Sequence, residues 1–413
     1  MSLHVFDSLS FSSCSAGTSG RSPRHALAPE WFSSGFRWKR HLATGRSRRH
    51  WLARAAILAG ISLLFPRAVA QESFVSANVP QNAKIAGLLA RAQKGHAQDE
   101  VRLGVALQFG QGIAADPSEA ARWFLKAANQ GDPAGQTDIA YLYLAGYGVP
   151  RDEREAFRWL QRAAVEGYAP AQAGLGYLLL GGLGVKQDTE RGVYWISRSA
   201  RQGFEAAEVN LGTLYTRGVS VTQDRNQALR WYRKAAKQRF APAEFLLGTA
   251  YETGDGVKQD FATAVLWYRK AAERGYPPAE NNLAALYWVG LGVSRNQAEA
   301  VRWYRLAAEQ GDTSGRANLA RAYASGEGVP ADFRSAYFWG LLAQPGQLEI
   351  AGRPIQEFVG GLREQISDEE AAQVEARAEE WRRSHPMGEQ GWYLVNLSGQ
   401  PCFITVSNVA IAK

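Results

Sequence analysis

The middle of the chain repeats one pattern of apolar and polar positions every 36 residues. In one period, Leu175, Gly176 and Leu179 follow the i, i+1, i+4 spacing of a single apolar helical face. Gly182 then suits a helix end, because glycine adopts the left-handed backbone without steric strain. Asp188 suits the start of a second helix, since its carboxylate can accept the free backbone N–H groups of the first turn. The pattern therefore predicts a helix–turn–helix in each period.

The register holds without insertion over seven periods. Residues placed only for catalysis would not keep such a regular spacing, so the repetition indicates architecture. Trp marks every copy, at Trp123, Trp159, Trp195, Trp231, Trp267, Trp303 and Trp339. The cap position is held by Asp116, Asp152, Asp188, Asp224, Asp260, Asn296 and Asp332.

The second helix of each period carries the Trp and, in most copies, an Ala pair four residues later. Small side chains there allow neighbouring helices to approach closely. We expect the Trp side chains, Trp231 among them, to be mostly buried. Pro117 stands at a first helical position, where proline is tolerated. An acidic or amide residue three positions after the cap predicts a capping box, at Glu119, Glu155, Gln227 and Glu299.

These residues resemble the Sel-one-like repeat (SLR) family, a relative of the tetratricopeptide repeats. The resemblance is carried by the series Leu-Gly, Tyr, Gly-x-Gly-Val, Asp, Ala and Trp-Tyr-x-Lys-Ala-Ala, as in 247–272, and it covers 97–344. It implies an all-α fold, a right-handed α-solenoid whose first helices line a concave surface. Members are mostly adaptors or regulators that hold other proteins, and bacterial members are often exported. The paired cysteines of one subgroup do not occur here, so that subgroup's properties are not carried over.

The fourth copy departs from the pattern at two glycine positions. Ser220 stands where the turn has glycine, and Arg239 stands where the second helix ends on glycine. Two interpretations are open. One is sequence drift, because such positions tolerate a cost of about 1 kcal/mol. The other is a local change in superhelix curvature.

The segments that flank the repeats have different patterns. An N-terminal capping helix is predicted in 71–96, at about 80–94. A helical C-terminal cap is predicted in 345–384, where Ser367 and Glu370 form a capping box. A polar outer helix suits the end of a repeat array, which needs a soluble face. The tail, 385–413, has two β-prone runs around "SGQP", and it is predicted to be a hairpin or a disordered end.

The first seventy residues have the composition of an export leader. Arg46, Arg48 and Arg49 precede a short apolar run, and "AVA" at 68–70 offers the small residues that signal peptidase reads. The apolar run is shorter than the roughly 20 residues of a membrane span. "SRRHWLA" also resembles the twin-arginine export signal, so two export routes are open. An amphipathic first helix and an organelle transit peptide are the other interpretations. The leader predicts a periplasmic or secreted protein with no stable membrane span after its removal.

Charge and composition limit the chemistry of the remainder. Residues 1–70 hold ten Lys and Arg against two Asp and Glu, so the rest of the chain carries 37 of each and is neutral. A nucleic-acid groove needs clustered unpaired positive charge, so no nucleic acid is predicted as a partner. Only His96 and His385 lie beyond residue 70, and the two cysteines are Cys14 and Cys402. We therefore predict no catalytic residues, no metal and no cofactor. The Gly-x-Gly turns follow a helix and repeat with the period, which does not fit a phosphate loop.

Candidate partner-binding residues are those on the first helices that vary between copies. By analogy with tetratricopeptide packing, the positions two and five after the repeat Leu look into the concave face. The same resemblance implies that an asparagine immediately before this Leu can hydrogen-bond to the backbone of an extended peptide. The alternative is that the apolar members pack between adjacent repeats. The candidates are Tyr141, Leu144, Tyr177, Leu180, Asn210, Asn282, Trp288, Asn318 and Arg321.

Together these features predict an exported, non-enzymatic α-solenoid that binds a protein or peptide along its concave face as an adaptor or regulator. A first alternative is an envelope sensor that binds a small molecule or a cell-wall fragment in the groove. A second is an enzyme accessory protein, which the scarcity of His and Cys disfavours.

Overall fold

The computed structural model describes residues 81–343, 349–350, 353–385, 391–394 and 402–405. The predicted leader, 1–70, lies outside the described residues. The chain divides into two compact units between Ala243 and Glu244. In both units the helices follow one another in pairs, so the chain is an all-α solenoid, as predicted.

The first unit begins with α1 (Gln81–Gln93) and continues with four helix pairs. Each helix packs against the next one along the chain. Repeat one is α2 (Ala97–Phe109) with α3 (Pro117–Asn129), repeat two is α4 (Pro133–Ala145) with α5 (Glu153–Val165), repeat three is α6 (Ala169–Gly181) with α7 (Thr189–Arg201), and repeat four is α8 (Glu205–Arg217) with α9 (Arg225–Lys237).

The second unit begins within the first turn of α10. Repeat five is α10 (Ala241–Thr253) with α11 (Phe261–Ala272), repeat six is α12 (Pro277–Val289) with α13 (Gln297–Glu309), and repeat seven is α14 (Thr313–Ser325) with α15 (Phe333–Ala343). The strands β1 (Glu349–Ile350) and β2 (Arg353–Pro354) pair antiparallel, and α16 (Ile355–Arg363) and α17 (Asp368–Ser384) both pack on α15. The tail belongs to the first unit, and in it β3 (Gly391–Leu394) and β4 (Cys402–Thr405) form an antiparallel pair around the predicted turn.

The predicted caps are present at the starts of the second helices. Asp116 accepts the Glu119 N–H at 2.9 Å, and Asn296 accepts the Glu299 N–H at 3.0 Å. The predicted capping boxes are wrong in one of their two bonds, the one from the side chain three residues after the cap back to the backbone N–H of the cap. The Glu119 carboxylate pairs instead with Arg122 at 3.0 Å. A complete box forms at the start of α17, where Ser367 and Glu370 bond each other's backbone N–H groups.

The repeat Trp is less buried than predicted. Trp123 and Trp159 are buried, whereas Trp231 and the later ones are only partly so. In repeats one to five the ring lies under the cation three residues later, as with Lys126 at 3.8 Å from the Trp123 ring centre. Such contacts stabilise a partly exposed ring. The residue after the Trp is the fully buried anchor in most repeats, as Phe124 and Tyr268 show.

The two unusual positions of repeat four keep the backbone of the glycines they replace. Ser220 has φ 50° and Arg239 has φ 61°, both in the left-handed region. A side chain in that region costs about 1 kcal/mol or more. At the equivalent Gly184, a Cβ would overlap the Glu153 carbonyl at the start of α5. Ser220 instead donates a hydrogen bond to Thr189 Oγ1, at the start of α7, at 2.6 Å.

Of the helices that the structure describes, none combines the length and the apolar character that spanning a bilayer requires.

Candidate functional site

The four side chains predicted to form an apolar patch lie inside the first unit. Tyr141 and Leu144 on α4 are fully buried, and Tyr177 and Leu180 on α6 are nearly so. The Tyr141 hydroxyl donates to the Pro170 carbonyl of the next repeat at 3.4 Å. These residues therefore pack between adjacent repeats, which is the second of the two alternatives. An exposed apolar patch at this place is not present.

Glycines on the neighbouring helices explain why this burial occurs. A Cβ at Gly174 of α6 would lie 2.9 Å from the Tyr141 hydroxyl oxygen, and a Cβ at Gly192 of α7 would lie 2.8 Å from Leu180 Cγ. The absence of side chains at these glycines leaves room that the large residues fill. The Tyr141–Tyr177 pair is thus part of the core, and its removal is expected to destabilise the fold instead of leaving it intact.

A buried carboxylate precedes the repeat Leu position in repeat two. Asp138 on α4 is 8% exposed and makes no hydrogen bond or ion pair with any described residue. Burial, reinforced by the nearby negative charge of Asp132, raises the pKa of the Asp138 carboxyl to about 8. The equivalent residue in repeat four is Asn210, which is also buried. Burial raises the pKa of the neighbouring Tyr177 phenol, and the Asn210 side chain partly opposes that shift.

In the second unit a hydrogen-bonded network connects the first helices of repeats five, six and seven. The Tyr268 hydroxyl is its centre, 3.1 Å from Thr249 Oγ1 and in hydrogen-bond contact with the Glu252 carboxylate. Asn282 on α12 donates from Nδ2 to the Tyr268 hydroxyl at 3.2 Å. Burial raises the pKa of the Glu252 carboxyl, and the Tyr268 hydrogen bond opposes that shift.

The network continues through paired asparagines. Asn281 donates to Asn282 Oδ1 at 3.3 Å, and Asn318 on α14 donates from Nδ2 to Asn281 Oδ1 at 2.9 Å. We call Glu252, Tyr268, Asn281, Asn282 and Asn318 the asparagine network. Two of the predicted site residues, Asn282 and Asn318, are therefore brought together through Asn281, in amide orientations that hydrogen bonds fix.

Trp288 and Arg321 form a second contact beside this network. The Arg321 guanidinium lies 5.0 Å from the centre of the Trp288 ring, which also packs on Tyr304 at 6.1 Å between ring centres. Trp288 is 9% exposed, whereas Arg321 is half-buried, as is Ala285 on α12 between Asn282 and Trp288. Arg321 and Ala285 are two of the places where this face of the first helices reaches solvent.

Sequence reasoning missed a column of buried polar residues three positions before the repeat Leu. Gln130 donates to Glu100 at 2.6 Å, and the same contact 30 residues apart recurs as Gln310 with Glu280, at 2.8 Å. Burial raises the pKa of Glu280 to about 7, and the Gln310 hydrogen bond opposes it. The signal was available in the sequence as a period of 36 residues. The column is Glu100, Gln136, Gln172, Glu208, Glu244, Glu280 and Arg316.

The chemistry of this face is that of hydrogen bonding. The Asn281, Asn282 and Asn318 amides are buried, so the half-buried Arg321 guanidinium is the group that can pair with a carboxylate of a bound chain. Within the described ranges, no three His, Cys, Asp or Glu side chains converge in a way that could hold a metal ion.

Comparison with known proteins gives the same repeat boundaries. The Sel1 repeat matches at 98–132, 133–168, 169–204, 205–240, 241–276, 277–312 and 313–343. The chain is similar to a Sel1 repeat protein from Oxalobacter formigenes, with 30% identity and a TM-score of 0.52 over 77% of this chain and 89% of that one.

A second solved structure is also similar to the chain, but it superposes less closely. It is a protective antigen present in uropathogenic Escherichia coli strains that displays an SLR fold, with 26% identity, a TM-score of 0.39, and coverage of 74% of this chain and 72% of that one. None of the curated proteins compared with the chain matches it significantly.

Proposed function

Because the chain belongs to the Sel1 repeat family, we propose that it is a non-enzymatic scaffold that binds a protein or peptide along the first helices of repeats five to seven. The observation that carries this proposal is the asparagine network, which holds amide groups of successive first helices in fixed orientations. Groups that are already ordered lose little conformational entropy when a partner binds.

The neighbouring surface residues support a chain-like ligand. The network amides are buried and bond one another, so they order the first helices, and the partly exposed residues beside them make the contacts. The half-buried Arg321 can form a bidentate pair with a carboxylate of the partner. Ala285, half-buried on α12 between Asn282 and Trp288, presents only a methyl group there. An adaptor or regulator needs no more chemistry than this.

A steric block at Ala285 tests the proposed site. The partner is first identified by cross-linking in the native cells, and its affinity for the purified full chain is then measured by calorimetry. We expect Ala285→Arg to weaken binding by more than tenfold, about 1.4 kcal/mol or above, because the new side chain fills the space beside Asn282. Circular dichroism should show an unchanged helix content.

The matched control is Ala298→Arg, which places the same side chain on an exposed position of α13. It should leave the affinity within about twofold, a difference below 0.5 kcal/mol. If Ala298→Arg abolishes binding while Ala285→Arg does not, the partner occupies the second helices and the proposed site is wrong.

Export is part of the same proposal, and its support is the basic, apolar and small-residue order of 46–70. We expect the mature protein to begin near Gln71 in the periplasm or medium, as N-terminal sequencing of the exported pool can show. Arg48→Lys with Arg49→Lys should stop export only if the twin-arginine route is used. A mature chain that still carries Arg46 would contradict the proposal.

A further inference from the structure

Repeat four carries a group of exposed cations that the other repeats do not have. Its second helix, α9, contains five Lys and Arg and no Asp or Glu. Arg230, Arg233 and Lys237 follow i, i+3, i+7 spacing and are all exposed. They therefore lie on one helical face, over about 10 Å at 1.5 Å per residue.

Comparison with the other repeats shows why these charges are unpaired. In repeats one and six, the Arg at the position of Arg230 pairs with a Glu three residues earlier, as Arg122 does with Glu119 at 3.0 Å and Arg302 with Glu299 at 3.3 Å. Repeat two has the same pair in Arg158 and Glu155. Repeat four has Gln227 at the position of that Glu. In the part of the chain that the structure describes, Arg230, Arg233 and Lys237 accordingly make no ion pair.

Two further cations extend this face. Arg239 follows α9 at the place where five other repeats have glycine, and it holds the left-handed backbone at φ 61° with its side chain exposed. Arg201 is exposed at the end of α7, beside Ala200, whose carbonyl accepts from Lys234 of α9 at 3.1 Å. We call Arg201, Arg230, Arg233, Lys237 and Arg239 the repeat-four basic patch.

The base of this patch is firmly held. Lys234 also pairs with the buried Glu208 at 2.8 Å, and Gln238 donates to the same carboxylate at 2.9 Å and to the Gly203 carbonyl at 2.9 Å. These bonds fix the end of α9 against α8 of its own repeat and against the end of repeat three. The five exposed cations thus lie on a rigid surface. The Lys234 and Gln238 side chains beside them hold that surface in place.

The distribution of these charges does not follow from helix stability alone. A cation near the end of α9 is favourable for the helix dipole, which explains Lys237. It does not explain Arg230 and Arg233 in the middle of the helix, where like charges three residues apart repel. Nor does it explain Arg239, because glycine at that position would remove the backbone strain.

We propose that the repeat-four basic patch is a docking surface for an acidic segment of a partner protein. Arg forks pair bidentately with carboxylates, and Asp or Glu residues three or four apart on a helix match the spacing of the three α9 cations. An anionic membrane is the less suitable occupant, because the apolar side chains of α9 are buried apart from the partly buried Trp231, whose ring lies under Lys234. Nucleic acid is also a less suitable occupant, because its binding requires more clustered positive charge than this array, which is neutral overall, provides.

The surface lies on second helices and is independent of the proposed site on the first helices, so either proposal can fail alone. The probe is a 15-residue Ala-rich helical peptide with Glu at every third or fourth position, and its counterpart has Gln at the same positions. Binding to the full chain is measured by fluorescence anisotropy at low and at moderate salt. The Glu peptide should bind in a salt-sensitive manner and the Gln peptide should not.

Matched variants locate the site. Arg230→Gln with Arg233→Gln and Lys237→Gln should weaken Glu-peptide binding by more than tenfold. Arg122→Gln with Arg158→Gln and Arg302→Gln removes the same charge from paired positions and should change binding by less than twofold. Equal losses in the two variants would mean that net charge alone attracts the peptide, which overturns the proposal. Tighter binding of anionic phosphatidylglycerol vesicles or of duplex DNA, lost in the first variant, would overturn the assignment to a protein.

Arg239→Gly supplies a readout that a structural role would not give. The substitution should raise the melting temperature by about 2 °C, since the strain is relieved, and should weaken Glu-peptide binding by at least twofold. A higher melting temperature with unchanged binding would exclude Arg239 from the surface.

Discussion

Tyr268→Ala is expected to lower the free energy of unfolding by about 3–5 kcal/mol, as large-to-small changes of buried aromatic residues do. The Tyr268 ring is fully buried and packs on Phe245, with 5.6 Å between ring centres. A Cβ at Gly248 would lie 2.5 Å from the ring, so the surrounding helix has no side chain at that position to fill the cavity. Because repeat arrays can unfold locally, repeat-resolved hydrogen exchange is the suitable measurement, and it should show repeats five and six losing protection first.

Tyr268→Phe separates the ring from the hydroxyl. It keeps the packing but leaves the Glu252 carboxylate and the Asn282 amide without their shared partner, at a cost of about 1–3 kcal/mol. The matched control is Tyr304→Phe, since Tyr304 is equally buried but its hydroxyl makes no hydrogen bond to a described residue. Equal effects of the two Phe substitutions would show that the asparagine network contributes nothing to stability.

Asp138→Asn is expected to stabilise the protein, by roughly 2–4 kcal/mol at pH 8, where one pKa unit corresponds to about 1.4 kcal/mol. The pKa of Asp138 in the folded chain is about 8, against an ordinary value of 3.8. The folded state therefore holds its proton more tightly than the unfolded state does. The stability of the wild type should fall as the pH rises from about 4 to about 8 and should then level off.

Denaturant titrations from pH 4 to pH 9 measure this effect. Glu280, with a pKa of about 7, and Asp312, with a pKa of about 6, contribute with the same sign, so the wild type and Asp138→Asn must be compared as a difference. Asp116→Asn is the control, because it makes the same change at an exposed helix cap. A difference between wild type and Asp138→Asn that does not grow with pH would mean that Asp138 is ionised in the folded chain.

The helices and their ends could be predicted from the sequence because local rules decide them. Asp116 and Asn296 cap their helices as expected, since a cap needs only the backbone of the next turn. The same holds for the glycines that end the helices in the left-handed region. None of these features depends on which neighbour the helix packs against.

The burial of individual side chains could not be predicted in the same way. Tyr141 is buried because Gly174, in the next repeat, leaves room for its hydroxyl, and no rule within one repeat contains that information. The sequence pattern predicts a buried Trp231, whereas the next residue, Tyr232, is the buried one. One residue rotates the assignment by about 100° around the helix. The asparagine network likewise depends on contacts between helices of three repeats.

The buried polar column has a consequence for how the gene can change in length. In repeats one, three, four, five and six, the polar side chain near the start of the first helix bonds the residue 30 positions later, within the same repeat. An in-frame duplication or deletion of one of these repeats would carry its internal bond complete. Repeat seven differs, because Arg316 donates to the Leu342 carbonyl at the end of α15. Its other bond, to the Ala308 carbonyl of repeat six, matches the bonds of Gln136 and Gln172 to carbonyls eight residues earlier. We therefore expect whole-repeat duplications and deletions to keep this bond in the interior repeats, whereas repeat seven holds its column residue through different partners.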